Sequence, residues 1–223
     1  MLVLSKIIFT TIEFSALVLL CLSLFRIYFR YSLYKVFFIA FIMALLSVFI
    51  RDVIDVPLFA FLPVIITQII LITLLFNLPL IFSLLLCVIG AVAISSIEGF
   101  VVSIGSYFNM FSEQMLTTSI FQFAIYELIV TVILMLLIYP LQKYKLGFHT
   151  TSNDALKGYN FYLSGVLVVA VIAVQVEVLA FKVSVVYISI PIVLGIIFLT
   201  GIYLAYKHNQ KLWKNRRERL SNR

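Results

Sequence analysis

The sequence predicts an all-α protein, a polytopic transmembrane bundle of about seven helices. Of its 223 residues, 64% are hydrophobic and 11% are charged, and the mean hydropathy is +1.21. These values lie outside the range of soluble globular domains. Apolar runs of about 20 residues, the length that crosses a bilayer as a helix, recur between short breaks that hold charged or turn-forming residues. We therefore predict a membrane bundle over residues 1–205 and a basic tail over residues 206–223.

Seven apolar runs are long enough to be candidate spans. They are Leu2–Phe25, Val36–Ile50, Leu58–Phe76, Leu80–Tyr107, Thr117–Tyr139, Phe161–Phe181 and Val183–Ala205. The first run has no small-residue cleavage site, so we expect it to remain as a span. The second is short and is expected to extend into Tyr31–Lys35. Only Lys182 separates the last two runs, so they form a tight hairpin or one bent unit, and six spans is the alternative count.

Three prolines lie within or between the apolar runs. Asn77-Leu78-Pro79 separates the third run from the fourth, because proline disfavours helix at the residue before it and lacks a backbone donor. Pro63 and Pro191 fall inside the third and seventh runs. There they are expected to kink a helix unless neighbouring groups bond the freed carbonyls.

The run Leu80–Tyr107 contains small residues at four-residue spacing and one carboxylate, Glu98. Residues four apart lie on one face of a helix, and small side chains there let a second helix approach closely. The small residues are Ala91, Ser95, Gly99 and Ser103. We predict that they form a helix-packing face and that this run is buried among the others.

The basic residues predict the orientation. With seven spans, thirteen of the sixteen Lys and Arg residues fall on one side, and only Lys6, Arg51 and Lys182 fall on or near the other. The positive-inside bias places the first group in the cytoplasm, the N-terminus outside and the C-terminus inside. The tail is expected to act chiefly as an anchor against anionic lipids, with a signalling or partner helix as the alternative reading. Its anchoring cations are Lys207, Lys211, Lys214, Arg216, Arg217 and Arg219.

Polar side chains inside the spans are the candidate functional residues. They are Glu13, Gln68, Glu98, Gln122, Glu127, Gln175 and Glu177. One interpretation is a polar pocket, open to the outside, that receives a proton, a cation or the polar part of a peptide. The other is a set of interhelical hydrogen bonds and ion pairs that closes the bundle, with Lys6, Arg51 and Lys182 as partners. The four carboxylates outnumber these three bases, which favours the pocket.

Catalytic motifs are missing from the sequence. There is no H-E-x-x-H, no paired histidines or cysteines, no G-x-S-x-G and no glycine-rich nucleotide loop. Cys21 and Cys87 lie in apolar runs, where thiols behave as small hydrophobic groups, whereas His149 and His208 lie in polar segments. We expect a protein that is not an enzyme, with no cofactor, no metal and no nucleic-acid partner.

Three segments resemble a known receptor family. They are IEFSALVLL (Ile12–Leu20), the hairpin around Asp52-Val53-Ile54-Asp55-Val56-Pro57, and LLFNLPLIFSLLLCVIG (Leu74–Gly90). This order of apolar segments resembles the N-terminal membrane sensor region of accessory-gene-regulator-type quorum-sensing histidine kinases, whose kinase part belongs to the GHKL class. The resemblance implies a receptor for an extracellular peptide. The sequence ends at Arg223 without the kinase domain, so the resemblance implies a stand-alone sensor, a truncated kinase or a partner of a full-length one.

Three functions follow as hypotheses. The first is a sensor- or receptor-like protein of the bacterial cytoplasmic membrane. Its expected partners are the lipid bilayer, an extracellular peptide, and a kinase, another membrane protein or a second copy of itself. The second is a small transporter, or a membrane subunit of one, that uses Glu98, Glu127 or Glu13 as a proton or cation site. The third is a membrane scaffold whose carboxylates are purely structural.

Overall fold

The computed structural model describes residues 2–27, 30–54, 60–108, 110, 119–144, 192–196, 199–200, 203 and 210, and this part of the chain is helical throughout its regular elements. There are five α-helices with named bounds. They are α1 (Leu2–Leu24), α2 (Leu33–Val48), α3 (Phe61–Phe76), α4 (Leu80–Tyr107) and α5 (Ile120–Lys143). A 3₁₀ turn over Arg30–Ser32 leads into α2, and a π-helical turn over Phe49–Val53, here called the π-turn, continues it.

Four helices are long and apolar enough to cross a membrane. The qualifying stretches are Val3–Leu24, Leu33–Val53, Phe82–Tyr107 and Ile120–Lys143. The prediction of an all-helical membrane protein is confirmed in this coarser form. Helix α3 has 16 residues, which at 1.5 Å per residue gives about 24 Å, less than the roughly 30 Å of a hydrocarbon core. The sixth predicted span lies outside the described residues, and within the seventh only a few helical positions, 192–196 among them, are described.

The predicted helix boundaries agree closely with the observed ones. Helix α4 has the predicted bounds, and α2 begins at Leu33, inside the predicted extension. The break after α3 is a left-handed residue, Asn77 (φ 51°), which lets Leu78 N–H donate to the Thr73 carbonyl at 3.2 Å. This bond caps the end of the helix in the Schellman manner. Pro79 then forms the N-cap of α4.

Proline behaves differently from the prediction at two positions. Pro63 is the third residue of α3, where the backbone nitrogen has no partner within the helix in any case, so the expected kink is not required there. Helix α5 was expected to end at Tyr139 but continues through Pro140 to Lys143. Pro191 lies outside the described residues.

Helix α1 lies at the centre of the described bundle. It packs against α2, α4 and α5, while α3 packs against α2 and α4, and α4 also packs against α5. The second half of α1 has no exposed residue and is mostly buried, and the first half exposes Leu4, Ile8 and Ile12 on one side. Those three residues lie on one helical face, which suits contact with lipid. The opposite face of the same half carries the polar residues of the site described below.

Helix α4 is the most enclosed of the four candidate spans, as predicted, with 78% of its most apolar stretch buried. Helix α4 lies close to α1 at Gly90, where a Cβ atom would lie 2.1 Å from Cys21 Sγ. The predicted small-residue face is therefore only partly the packing seam. Ala91 and Gly99 are buried, whereas Ser95 and Ser103 are half-buried. Only glycine permits so close a contact at position 90.

Candidate binding site at one end of the bundle

Three carboxyl groups from three helices converge at one end of the bundle. Glu13 of α1, Glu98 of α4 and Glu127 of α5 interact electrostatically in all three pairs. The end concerned holds the start of α1, the π-turn, the second half of α4 and the start of α5. From the helix ends the carboxyl-bearing residues lie about 10 to 16 Å deep, at 1.5 Å per residue. The structure thus brings together three of the seven predicted polar residues.

Helix periodicity explains why α1 contributes to this end. Lys6, Thr10 and Glu13 are separated by four and three residues, so they lie on one face. Thr10 donates a hydrogen bond from Oγ1 to Glu127 Oε1 at 3.3 Å. This face of α1 therefore points toward α5.

Lys6 binds an acidic residue other than the three in the cluster. Its Nζ atom lies 2.6 Å from Asp52 Oδ1 and 5.7 Å from the centroid of the Phe123 ring. Lys6 is buried, and Asp52 at the π-turn is more accessible. Lys6, expected in the ion-pair interpretation to be a partner of the carboxylates inside the spans, is thus paired with Asp52.

Arg51 is the base that acts on the carboxyl cluster in the described part of the chain. It interacts favourably with Glu98 and, like Asp52, belongs to the π-turn. The five-residue π-turn therefore carries both a cation, Arg51, that interacts with α4 and an anion, Asp52, that pairs with α1. Lys182, the third predicted base, lies outside the described residues.

Two carboxyl oxygens of the cluster are buried without a hydrogen-bond partner. They are Glu13 Oε1 and Glu127 Oε2, and each of these residues is only 2% exposed. The hydroxyl of Thr131, one helical turn from Glu127 and 8% exposed, also lacks a partner. A buried acceptor left without a donor costs roughly 1–3 kcal/mol. The cluster therefore has spare capacity to accept hydrogen bonds.

Accessibility decreases from the end of the bundle inward. Arg51 and Asp52 are exposed, Glu98 is half-buried, and Glu13 and Glu127 are buried. Tyr126, also half-buried, interacts electrostatically with all three carboxyl groups and with Arg51. A group that reached the cluster from this end would pass the π-turn first.

The described residues contain no group of three or more His, Cys, Asp or Glu side chains that is placed to hold a metal ion. The three carboxyl groups interact with one another electrostatically, and Glu13 also shares side-chain hydrogen bonds with Glu98 and Glu127.

The remaining predicted polar residues lie elsewhere or outside the described part. Gln68 of α3 is buried and donates from Nε2 to Cys21 Sγ at 3.8 Å, so it belongs to the packing between α1 and α3. Gln122, near the start of α5, is half-buried, and its Oε1 has no hydrogen-bond partner. Gln175 and Glu177 lie outside the described residues.

Sequence reasoning missed Thr10, Asp52 and Tyr126 as members of this region. Thr10 had a detectable signal, because it shares the helical face of Lys6 and Glu13. The pairing of Asp52 with Lys6 depends on how α2 ends and how it packs against α1. Tyr126 directly precedes Glu127 in the chain, but its interaction with Glu13 and Glu98 depends on how the helices pack.

The opposite end of the bundle carries a different set of polar contacts. Lys35 Nζ donates to the Leu75 carbonyl at 2.6 Å and lies 5.6 Å from the centroid of the Phe76 ring. Gln142 Nε2 donates to Ser23 Oγ at 3.1 Å. These contacts join the start of α2 to the end of α3, and the end of α5 to the end of α1. The basic anchor residues of the tail, Lys207 through Arg219, lie outside the described residues.

Comparison with protein-family models, curated proteins and solved structures finds no match to this chain.

Proposed function

We propose that this chain is a non-enzymatic, receptor-like membrane protein that takes up a polar ligand at the cluster formed by Glu13, Glu98 and Glu127. The observation that supports this is the convergence of three carboxyl groups from three helices, with two carboxyl oxygens buried and without donors. Ionisable groups at membrane depth are costly and mark functional sites more often than those in soluble proteins.

The proposal includes the orientation and the location. Seven spans place the carboxyl end outside and the basic tail in the cytoplasm of a bacterium. The basic residues near the opposite end of the described bundle, Arg26, Lys35 and Lys143, agree with this orientation. An extracellular peptide is the proposed ligand, in keeping with the resemblance to sensor regions of accessory-gene-regulator-type kinases. The partner that receives the signal is a kinase, another membrane protein or a second copy of the chain.

The single tryptophan makes the proposal testable. Trp213 is the only one in the chain and lies in the tail, so its fluorescence reports on the tail alone. The full-length protein in lipid nanodiscs would be titrated with peptide fractions from the medium of the bacterium that produces it. We expect a shift in Trp213 emission that Glu98→Gln abolishes and Glu218→Gln, the same change in the tail, leaves intact. An emission spectrum that no fraction changes would contradict the receptor function.

A transporter is the second candidate, and the depth of the carboxyl groups favours it. Glu13 is the twelfth of 23 residues in α1, close to the middle of a span, where transporters bind substrates and coupling ions. This function predicts proton or cation flux into liposomes, measured with an internal pH-sensitive dye and an imposed gradient. Glu98→Gln should reduce that flux, and Glu218→Gln should not. A flux that Glu98→Gln leaves unaltered would argue against carboxyl-mediated transport.

A further inference from the structure

We infer that the end of the bundle opposite the carboxyl cluster binds the phosphate of an anionic phospholipid through Arg26, which follows α1, and Lys143, the last residue of α5. The inference goes beyond the proposed function, because it concerns the other end of the molecule and holds for either orientation of the chain. Three features carry it: a charge imbalance between the ends, a bond that joins two helix ends, and a strained backbone at Arg26.

Charge is distributed unevenly between the two ends of the described bundle. The Asp and Glu residues among the described positions all belong to the end that holds the carboxyl cluster and the π-turn. In the described part of the chain, the charged residues of the opposite end are all basic, and they are Arg26, Arg30, Lys35 and Lys143. Such a surface attracts anions, and at the interface of a bilayer the nearest anions are phospholipid headgroups.

The ends of α1 and α5 are bonded to each other at this surface. Gln142 Nε2 donates to Ser23 Oγ at 3.1 Å. Lys143 is the next residue after Gln142, and Arg26 comes one helical turn after Ser23. The packing of α1 against α5 therefore brings together two cations from distant parts of the chain.

The lysines at this end differ in what they contact. Lys35 Nζ donates to the Leu75 carbonyl at 2.6 Å and so joins α2 to α3. Lys143 is exposed, and its Nζ lies 5.3 Å and 5.6 Å from the ring centroids of Tyr139 and Tyr144. Both tyrosines are themselves exposed, at 64% and 63%. Tyrosine and lysine side chains arranged in this way are typical of the headgroup layer of a membrane.

Arg26 occupies a backbone position that favours glycine. Its φ is 55°, and it completes a Schellman cap in which Arg26 N–H donates to the Ser23 carbonyl at 3.1 Å and Ile27 N–H to the Leu22 carbonyl at 2.9 Å. A side chain in this left-handed conformation costs free energy that glycine avoids. Partial burial also lowers the pKa of the Arg26 guanidinium, because water is partly withdrawn from the charge. A strained, partly desolvated arginine indicates a use for its planar fork of donors, which matches the oxygens of a phosphate.

Lipid binding by the full-length protein in detergent tests the inference, measured by native mass spectrometry. The probes are phosphatidylglycerol and phosphatidylcholine with identical acyl chains. We expect tighter binding of one phosphatidylglycerol by at least ~10-fold, because each of two cations contributes about 1 kcal/mol, or ~5-fold. Arg26→Gly and Lys143→Met should each reduce this preference ~5-fold. Lys214→Met, the same change in the tail, should reduce it less than ~2-fold, because a single tail cation lies outside the site.

Glycerol 3-phosphate separates a lipid from a free phosphate as the ligand. It carries the same phosphate chemistry without acyl chains, and we expect it not to displace phosphatidylglycerol at equal concentration. Displacement at equal concentration would overturn the assignment to a lipid.

A second measurement guards against variants that fold poorly. The melting temperature of each protein is determined in nanodiscs of each lipid, and the difference between the two lipids is compared. Glycine accepts a φ of 55° without strain, so we expect Arg26→Gly to fold. Phosphatidylglycerol should raise the melting temperature of the unmodified protein, and Arg26→Gly and Lys143→Met should each lose roughly half of that rise. Equal binding of the two lipids, or a loss of preference in Lys214→Met as large as in Lys143→Met, would overturn the inference in favour of diffuse attraction.

Discussion

Lys6 and Asp52 join the first helix to the end of the second through an ion pair of 2.6 Å between Nζ and Oδ1. The lysine is only 8% exposed, so the charge is largely withdrawn from water and depends on its partner. The pair bonds Lys6 to the π-turn and not to the carboxyl cluster. The π-turn thus supplies the partner of a buried charge on α1.

Asp52→Asn should destabilise the protein through this buried charge. Breaking a partly buried pair leaves the Lys6 ammonium without a carboxylate, at a cost of about 1–3 kcal/mol. Thermal unfolding in detergent, followed by circular dichroism, would measure the loss. Asp154→Asn makes the same chemical change in the stretch between the fifth and sixth predicted spans and should alter the melting temperature little. An equal effect of the two substitutions would show that Lys6 does not rely on Asp52.

Gly90→Ala should destabilise the packing of α4 against α1. The added Cβ would lie 2.1 Å from Cys21 Sγ, and overpacking of this kind costs typically about 1–3 kcal/mol. This loss opposes the gain of about 1 kcal/mol that alanine normally brings to a helix.

Cys21→Ala provides the matched rescue for Gly90→Ala. The Cys21 Cβ atom lies 3.7 Å from the position of the added Cβ, an ordinary contact distance, so removal of Sγ relieves the clash. The double variant should recover most of the lost melting temperature. If the double variant is as unstable as Gly90→Ala alone, the contact with Cys21 is not the cause.

Glu13→Gln should raise the thermal stability of the protein in the absence of ligand. The substitution removes an ionisable group whose charged form is disfavoured by burial and by Glu127 and Glu98, and the glutamine amide can still donate a hydrogen bond to Glu127. A gain of about 1 kcal/mol corresponds to roughly 2–4 °C in a protein of this size. Functional sites commonly carry such a cost. If the carboxyl groups are purely structural, as in a scaffold, Glu13→Gln should lower the thermal stability. A lowered melting temperature would therefore favour the scaffold.

Lys35→Met should loosen the opposite end of the bundle. Its ammonium bonds the Leu75 carbonyl near the end of α3, where the helix dipole favours a cation. We expect a loss of about 1 kcal/mol and faster amide hydrogen exchange at the end of α3. Lys143→Met is the control, because the contacts of Lys143 with Tyr139 and Tyr144 are local in the chain. Equal exchange rates in the two variants would rule out a bracing role for Lys35.

Reporter fusions test the proposed orientation directly. A fusion after Phe111 should report the outer side, and a fusion after Asn153 the cytoplasm, because the intervening α5 is long and apolar enough to cross the membrane once. Alkaline phosphatase and green fluorescent protein, which are active on opposite sides, would be used at both positions. The inverse pattern would reverse the orientation and place the carboxyl cluster near the cytoplasm.

The amino-acid sequence alone determined the membrane class, the helical composition and most helix boundaries. These properties depend on local physical chemistry: the apolar length needed to cross a bilayer, and the inability of proline and left-handed residues such as Asn77 to continue a helix. The sequence also singled out Glu13, Glu98 and Glu127, because ionisable groups inside apolar runs are conspicuous.

Only the tertiary structure decided which of these groups meet. The three glutamates are up to 114 residues apart, and their convergence depends on the packing of α1 against α4 and α5 rather than on any periodicity. The same packing paired Lys6 with Asp52, placed Gln68 against Cys21, and brought Gly90 close to Cys21. Pairings between distant residues depend on how whole helices dock, and a single sequence records only which face each helix offers.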